Sequence, residues 1–164
     1  MDISIHRGYW PGCIGRITEL HARFYAAQAG FGVFFESRVA RELAAFCERY
    51  DEARDGLWLA MVEGQVEGAL AIDGSHAATE GAHLRWFIAS DRLRGSGAGS
   101  RLLVQALAFC DARRYGKAYL WTFEGLHAAR HLYEKHGFRL VQQQPGRQWG
   151  SEVLEQRFER ALPI

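Results

Sequence analysis

A glycine-rich bend at residues 94–100, Arg-Gly-Ser-Gly-Ala-Gly-Ser, constrains this chain more than any other feature. It follows an apolar run at residues 82–89 and precedes a run whose apolar residues recur at helical spacing from Leu102 to Cys110. The pattern predicts a strand, a bend and a helix. Glycines let a ligand approach the backbone without Cβ clashes, and free amides at a helix start attract anions. The bend is therefore a candidate diphosphate site, with Arg94 as a charged contact.

Three interpretations of the bend compete at this point. A nucleotide-triphosphate loop requires Gly-x-x-x-x-Gly-Lys-Ser/Thr, and the bend has no such lysine. A dinucleotide-binding fingerprint requires Gly-x-Gly-x-x-Gly after an early strand, whereas this spacing is Gly-x-Gly-x-Gly and lies late in the chain. A flexible turn without a ligand is the third interpretation.

The remaining periodicity predicts an α/β fold. The chain has 164 residues, which fits a single domain over residues 1–164. Residues 30–35 are expected to break the first helix, and Gly137 to end the last one. The predicted strands are residues 2–7, 57–62, 66–72, 82–89, 118–123, 138–142 and 153–158. The predicted helices follow Pro11, carry Val39 to Tyr50, follow the bend, and span residues 127–136.

Composition narrows the classes of partner and compartment. A formal net charge of +1 gives no reason to expect nucleic-acid or membrane binding, and no apolar run is long enough to cross a bilayer. The chain has three widely spaced cysteines, Cys13, Cys47 and Cys110. An odd number at such spacing argues against a disulfide framework and indicates reduced thiols in a cytoplasmic protein. His127 and His131 are four residues apart but lack the glutamate of a zinc-protease helix, so no metal site is expected.

Two motifs together carry a resemblance to a known family. Arg94-x-x-Gly97-x-Gly99 resembles the coenzyme A signature of the GNAT acetyltransferases, Gln/Arg-x-x-Gly-x-Gly/Ala. The segment at residues 129–138, which contains Leu132-Tyr133 and ends in Gly-Phe, is similar to the family's second signature. The element order fits from residue 2 to residue 158. Short stretches also resemble bacterial acetyltransferase domains that are fused to MarR-type regulators, and the chain resembles the acetyltransferase part standing alone. These stretches are Pro11-Gly12, Phe35-Glu36, Leu84-Arg85, Leu120-Trp121-Thr122 and Ala128-Ala129-Arg130.

The resemblance implies a fold, a reaction and a co-substrate. The expected fold is a mixed, mostly antiparallel sheet of about seven strands flanked by about four helices and splayed between the fourth and fifth strands. The expected reaction moves an acetyl group from acetyl-CoA to a primary amine of a small molecule or peptide by direct attack, without a metal. A homodimer is a possible assembly, and the acceptor's identity is left open.

The resemblance also implies where acetyl-CoA lies. The pantetheine arm is expected along the strand at residues 82–89, and the diphosphate on the bend. Family members commonly supply an asparagine after the next strand, but this chain has Thr122-Phe123-Glu124-Gly125-Leu126 there. Thr122 is expected to replace it in part. The implied cofactor-binding residues are Phe87, Ile88, Arg94, Gly95, Ser96, Gly97, Ala98, Gly99, Ser100, Thr122, Arg130 and Tyr133.

Catalytic and acceptor-binding residues follow from the same resemblance. Tyr133 is expected to protonate the leaving thiolate, since a phenol pKa of about 10 lies near the roughly 8.5 of a thiol. The base that takes the amine proton is His83, Glu124 or a chain of water molecules. The acceptor site is expected to be lined by Phe34, Phe35, Glu36 and Trp149.

Two other functions stay open on the sequence alone. The missing asparagine and the uncertain base are compatible with a non-catalytic module that binds acetyl-CoA. A protein-interaction domain that binds no coenzyme A is the third hypothesis. Titration with acetyl-CoA separates the third hypothesis from the other two, because that hypothesis predicts no binding heat.

Overall fold

A computed structural model describes residues 1–163, with seven strands in one sheet and four helices flanking it. The strands are β1 (Ser4–Arg7), β2 (Gly56–Val62), β3 (Gln65–Asp73), β4 (Ala82–Ala89), β5 (Lys117–Phe123), β6 (Arg139–Gly146) and β7 (Val153–Ala161). The helices are α1 (Cys13–Ala29), α2 (Val33–Glu48), α3 (Ala98–Ala112) and α4 (His127–Lys135). The predicted domain end at Ile164 lies outside the described residues.

The sheet has the order β1-β2-β3-β4-β5-β7-β6. β4 pairs with β5 in parallel, and the other five pairings are antiparallel. The predicted mixed, mostly antiparallel sheet of seven strands with four helices is confirmed. No helix within residues 1–163 combines the length and the apolar character that crossing a membrane requires.

Strand alternation builds two cores on the two faces of the sheet. In β2, Leu57, Leu59 and Met61 pack in one core with residues of α1 and α2. The intervening Trp58, Ala60 and Val62 pack with α3 on the other face. Side chains of a strand point alternately to opposite faces, so a strand buried on both faces is apolar throughout. All seven residues of β2 are accordingly buried.

β4 and β5 pair only at their beginnings. The paired residues are Ala82 with Ala118 and His83 with Tyr119, and beyond them the two strands diverge. Because the strands are parallel, their carboxyl ends lie at the same edge of the sheet. The glycine-rich bend follows β4 and α4 follows β5, so both are brought to the mouth of this cleft. The predicted splay between the fourth and fifth strands is confirmed.

Two local expectations need correction. Residues 30–35 do not all break the first helix, because Gly30 ends α1 in a left-handed conformation and α2 already begins at Val33. α3 begins at Ala98, inside the predicted loop, because Gly97 at φ 79° serves as its N-cap. The placement of β7 between β5 and β6 was also not predicted, since it depends on long-range pairing.

Candidate functional site

An irregularity in β4 shapes the wall of the cleft. Ala69 pairs with Ile88 and Ala71 with Arg85, so β4 carries one extra residue between these pairs. Within this bulge Trp86 has a φ of 50°, which is uncommon for a residue other than glycine. Bulges re-aim side chains and interrupt pairing, often beside active sites. No sequence pattern predicted it, since nothing about a tryptophan indicates a left-handed conformation.

Two of the six backbone amides from Gly95 to Ser100 already donate local hydrogen bonds. The Ser96 amide already donates to the Leu93 carbonyl at 3.1 Å, and the Ala98 amide to the Ser96 hydroxyl at 3.2 Å. Those two amides are therefore not free for a ligand. In the described part of the chain, the amides of Gly95, Gly97, Gly99 and Ser100 have no acceptor. They lie where the α3 dipole is positive, which suits an anion.

The two arginines predicted to contact the cofactor lie at the mouth of the cleft. Arg94 is exposed over 80% of its side chain and pairs with Asp91 at 2.8 Å. Arg130 lies 3.5 Å from Glu134 and over the ring of Phe158. Neither arginine lines a cavity of the cleft. Arg94 has one ion-pair partner and is largely exposed, whereas Arg130 has partners on two sides.

The cleft contains an apolar cavity of about 490 Å³ between the ends of β4 and β5. Phe87 and Ile88 of the bulged strand, Gly99 of the bend and Thr122 of β5 line it. The far wall is formed by α1 and α4. The lining from these two helices is Phe24, Tyr25, Gln28, His127, Ala128, Ala129, Leu132 and Tyr133. A long, largely apolar arm that ends in phosphates fits this cavity and the four free amides.

Tyr133 lies on the wall between the apolar cavity and a second, polar one. Its side chain is 7% exposed, and its ring packs among Phe87, Phe138 and Phe158. Within residues 1–163 its hydroxyl has no hydrogen-bond partner. Burial raises the pKa of Tyr133 well above its usual value, so the hydroxyl keeps its proton at neutral pH. The group is available as a donor to whatever occupies the cavities.

The polar cavity has a volume of about 140 Å³ and lies between α1, α2, β4, β5 and the β6–β7 turn. Phe35 and Trp149, two of the predicted acceptor residues, line it. Phe34 and Glu36 do not, because each is one helical position from Phe35 and therefore turned away from the cavity by about 100°. The two cavities share Tyr25, Phe87, Thr122 and Tyr133 as lining residues.

The two predicted bases are placed very differently. His83 lines the polar cavity and stacks on Tyr119 with ring centroids 4.5 Å apart. Burial lowers the pKa of His83 to about 3, with a smaller contribution from Arg85, so its imidazole is neutral and weakly basic. Glu124 follows β5, is exposed and lines neither cavity. Its amide donates to the Leu154 carbonyl, and this fixes the backbone there rather than presenting the carboxylate to the cleft.

Five charged or polar residues of the polar cavity were missed by the sequence analysis, and one of them is Gln148 of the β6–β7 turn. Arg38 and Glu42 lie one turn apart on the face of α2 that also buries Phe35. Arg85 interrupts the apolar sequence of β4, and His21 lies on the buried face of α1. Charged residues on an otherwise apolar face were the available signal. The three charged groups converge, since Glu42 accepts hydrogen bonds from Arg38 at 2.6 Å and from Arg85.

The buried His21 provides a test of stability against pH. Burial lowers the pKa of His21 to about 4. The hydrogen bond between its ring and the Ile17 carbonyl acts in the opposite direction and is the weaker effect. The unfolded chain therefore binds more protons between pH 6.5 and 4, and stability falls as the pH drops through that window. The wild type loses unfolding free energy when the pH falls from 7 to 5, and we expect this loss to be about 2 kcal/mol smaller in His21→Gln. Urea unfolding at both pH values measures the free energy of unfolding of each protein.

The control for this prediction is His76→Gln, which replaces an exposed histidine outside both cavities. That variant should lose stability with acidification as the wild type does. An unchanged pH dependence in His21→Gln would mean that His21 is not held neutral by the fold.

Residues 1–163 contain no cluster of three or more His, Cys, Asp or Glu side chains suited to a metal ion.

Solved structures share the fold over nearly the whole chain. YncA from Salmonella typhimurium, solved with its cofactor acetyl-CoA, has a TM-score of 0.77 at 16% identity, covering 100% of this chain and 96% of its own. An acetyltransferase from Streptococcus agalactiae has a TM-score of 0.74 at 18% identity, covering 98% of both chains.

A GNAT family acetyltransferase from Elizabethkingia anophelis with acetyl-CoA bound has a TM-score of 0.66 at 16% identity, covering 98% of both chains. No curated protein matches the sequence. The family model of the acetyltransferase (GNAT) family matches residues 16–138, which is most of the chain and includes the bend and α4. The chain therefore belongs to the acetyltransferase (GNAT) family.

Proposed function

We propose that this protein is an N-acetyltransferase that moves an acetyl group from acetyl-CoA to a primary amine of a small molecule or peptide. The observation that carries the proposal is the pair of cavities that meet at Tyr133. One is apolar and opens toward the free amides of the bend, and the other is polar and closed in by aromatic side chains. Such a pair places two substrates on either side of one proton donor.

Acetyl-CoA is proposed to lie across the mouth of the cleft. The amides of Gly95, Gly97, Gly99 and Ser100 would hold the diphosphate, with Arg94 reorienting from Asp91 to add a charge-assisted contact. The pantetheine arm would extend the sheet along the free edge of β4 beyond His83, where β5 has diverged. This would place the thioester near Phe87, Thr122 and Tyr133, three of the four residues that both cavities share.

Bound acetyl-CoA supplies a thioester carbon that the acceptor amine attacks. A backbone amide of the β4 bulge, near Phe87 and Ile88, would stabilise the oxyanion that develops on the thioester oxygen. Tyr133 would then protonate the departing thiolate. Its raised pKa does not prevent this transfer, because the thiolate is desolvated in the same apolar cavity and its own pKa rises as well.

Deprotonation of the acceptor amine is proposed to run through water rather than through a strong base. A histidine with a pKa of about 3 cannot hold a proton taken from an ammonium group whose pKa is near 10. The neutral rings of His21 and His83 line the polar cavity and can accept hydrogen bonds from water or from the amine. They would orient the amine lone pair toward the thioester.

A second function, a non-catalytic module that binds acetyl-CoA, is favoured by one observation. His83 is a weak base and Glu124 lines neither cavity, so neither predicted base is suited to accept the amine proton. This alternative predicts the same cofactor contacts without turnover.

Calorimetry with acetyl-CoA followed by an amine screen that detects released CoA thiol tests both functions. Binding with turnover of at least one amine supports the transferase. Binding without turnover across amino acids, polyamines, aminoglycosides and peptides supports the module. Absence of binding contradicts both.

A further inference from the structure

We infer that the acceptor is a compact amine that also carries a carboxylate or similar oxyanion and an apolar side chain, as an amino acid does. The inference rests on the proposed acetyl transfer and specifies the occupant of the polar cavity. It follows from the charges of that cavity, its aromatic walls and its position relative to Tyr133.

Two arginines in the polar cavity share a single carboxylate. Arg38 Nε donates to Glu42 Oε2 at 2.6 Å, and Arg85 Nη2 donates to the other oxygen of the same group. The Arg38 and Arg85 side chains are 29% and 20% exposed. Two half-buried guanidinium groups against one carboxylate leave an excess positive charge. Their hydrogen bonds lower the pKa of Glu42 although its burial acts in the opposite direction, so Glu42 stays ionised.

The two guanidinium groups have donors to spare. Arg38 Nη1 donates to the Gln148 carbonyl, while within residues 1–163 Arg38 Nη2 and the Nε and Nη1 groups of Arg85 have no acceptor. Arginine presents its donors in a planar fork that matches a carboxylate in a bidentate geometry. A second carboxylate, supplied by the acceptor, would satisfy these donors and balance the charge.

Among residues 1–163 no other charged side chain lines this cavity, and its two histidines are neutral at pH 7. A polyamine or an aminoglycoside would bring several positive charges against two arginines and would find one carboxylate whose oxygens are already engaged. Like charges at short range in a partly buried site repel more strongly than in water, because the effective dielectric there is lower. The charge pattern therefore selects an acceptor with an anionic group.

The walls of the polar cavity select an apolar side chain. Eight aromatic residues line it, and the Arg85 guanidinium lies over the ring of Trp86, 4.2 Å from its centroid. These residues are Tyr25, Phe35, Trp86, Phe87, Trp121, Phe123, Tyr133 and Trp149. With about 140 Å³ available, the cavity accommodates one small molecule rather than an extended peptide. The arginine pair lines only the polar cavity, so an acceptor anchored there would direct its amine toward the shared residues around Tyr133.

Matched pairs of acceptors test the inference. Phenylalanine is compared with phenethylamine, methionine with 3-(methylthio)propylamine, and tryptophan with tryptamine, by release of CoA thiol. For at least one pair we expect kcat/KM to be more than tenfold higher for the amino acid. Arg85→Gln and Arg38→Gln should each abolish that preference. Arg23→Gln, which changes an exposed arginine of α1, should retain it.

A binding experiment keeps the inference testable without turnover. In calorimetry on protein saturated with CoA, 3-phenylpropanoate should bind, and Arg85→Gln should weaken its binding at least tenfold. Amines acetylated as well as their amino acids would overturn the inference and leave the transferase in place. The inference would also be overturned if the protein bound acetyl-CoA but neither acetylated any of the three amino acids nor bound 3-phenylpropanoate. Absence of acetyl-CoA binding would overturn the proposed function and this inference together.

Discussion

Tyr133→Phe is expected to lower kcat for acetyl transfer by about 100-fold or more, the range typical of a lost general acid. The affinity for acetyl-CoA should change only a few-fold, because Phe keeps the ring that packs against Phe87, Phe138 and Phe158. The hydroxyl has no protein partner among the described residues, so its removal should not reduce thermal stability. Steady-state kinetics with a saturating acceptor and calorimetry with acetyl-CoA separate these effects.

The matched control for Tyr133→Phe is Tyr115→Phe. It deletes a hydroxyl that donates to the Arg54 carbonyl at 2.8 Å, outside both cavities. This variant should lose about 1 kcal/mol of stability and retain kcat. If Tyr133→Phe turned over as fast as Tyr115→Phe, another group or water would be protonating the thiolate.

Gly97→Asp is expected to weaken acetyl-CoA binding by about 100-fold relative to Gly97→Asn, which corresponds to about 2.7 kcal/mol. Gly97 has a φ of 79°, a conformation that Asn and Asp adopt more readily than other residues. A Cβ at this position meets no atom within 4 Å, so both side chains fit. They have nearly the same shape, and their difference isolates one negative charge beside the proposed diphosphate.

The Gly97 pair separates electrostatics from folding. A carboxylate at the start of α3 interacts favourably with the helix dipole, so Gly97→Asp should be at least as stable as Gly97→Asn. Calorimetry at low and high salt should show the affinity difference shrinking as ions screen the repulsion. Equal affinities for the two variants at low salt would place the diphosphate elsewhere.

Local pattern was enough to predict much of this protein. The period of two in β2 and the period of 3.6 in α1, α2 and α3 reflect short-range geometry, which a sequence displays directly. The glycines of the bend are a local requirement too, because φ values of 74° at Gly95 and 79° at Gly97 disfavour most other residues. The two family motifs are likewise contiguous, and they indicated the fold and the family and suggested the proposed acetyl-CoA site.

The site could be predicted only where it depended on such contiguous segments. Phe87, Thr122, Tyr133, Phe35 and Trp149 line the cavities, and their roles toward a substrate stay predictions. Phe34 and Glu36 do not line the polar cavity, because their α2 neighbour Phe35 faces it instead. Two of the six expected amides of the bend were engaged by local hydrogen bonds that no composition or motif could show.

The sequence by itself determined the elements, the glycine-rich bend and the family, because each of these depends on residues close together in the chain. Only the tertiary structure decided that β7 lies between β5 and β6, that β4 bulges at Trp86, and that Arg38 and Arg85 share Glu42. These features come from pairing and packing between distant segments. Their energies depend on which surfaces meet in the folded chain, and a one-dimensional pattern does not record that.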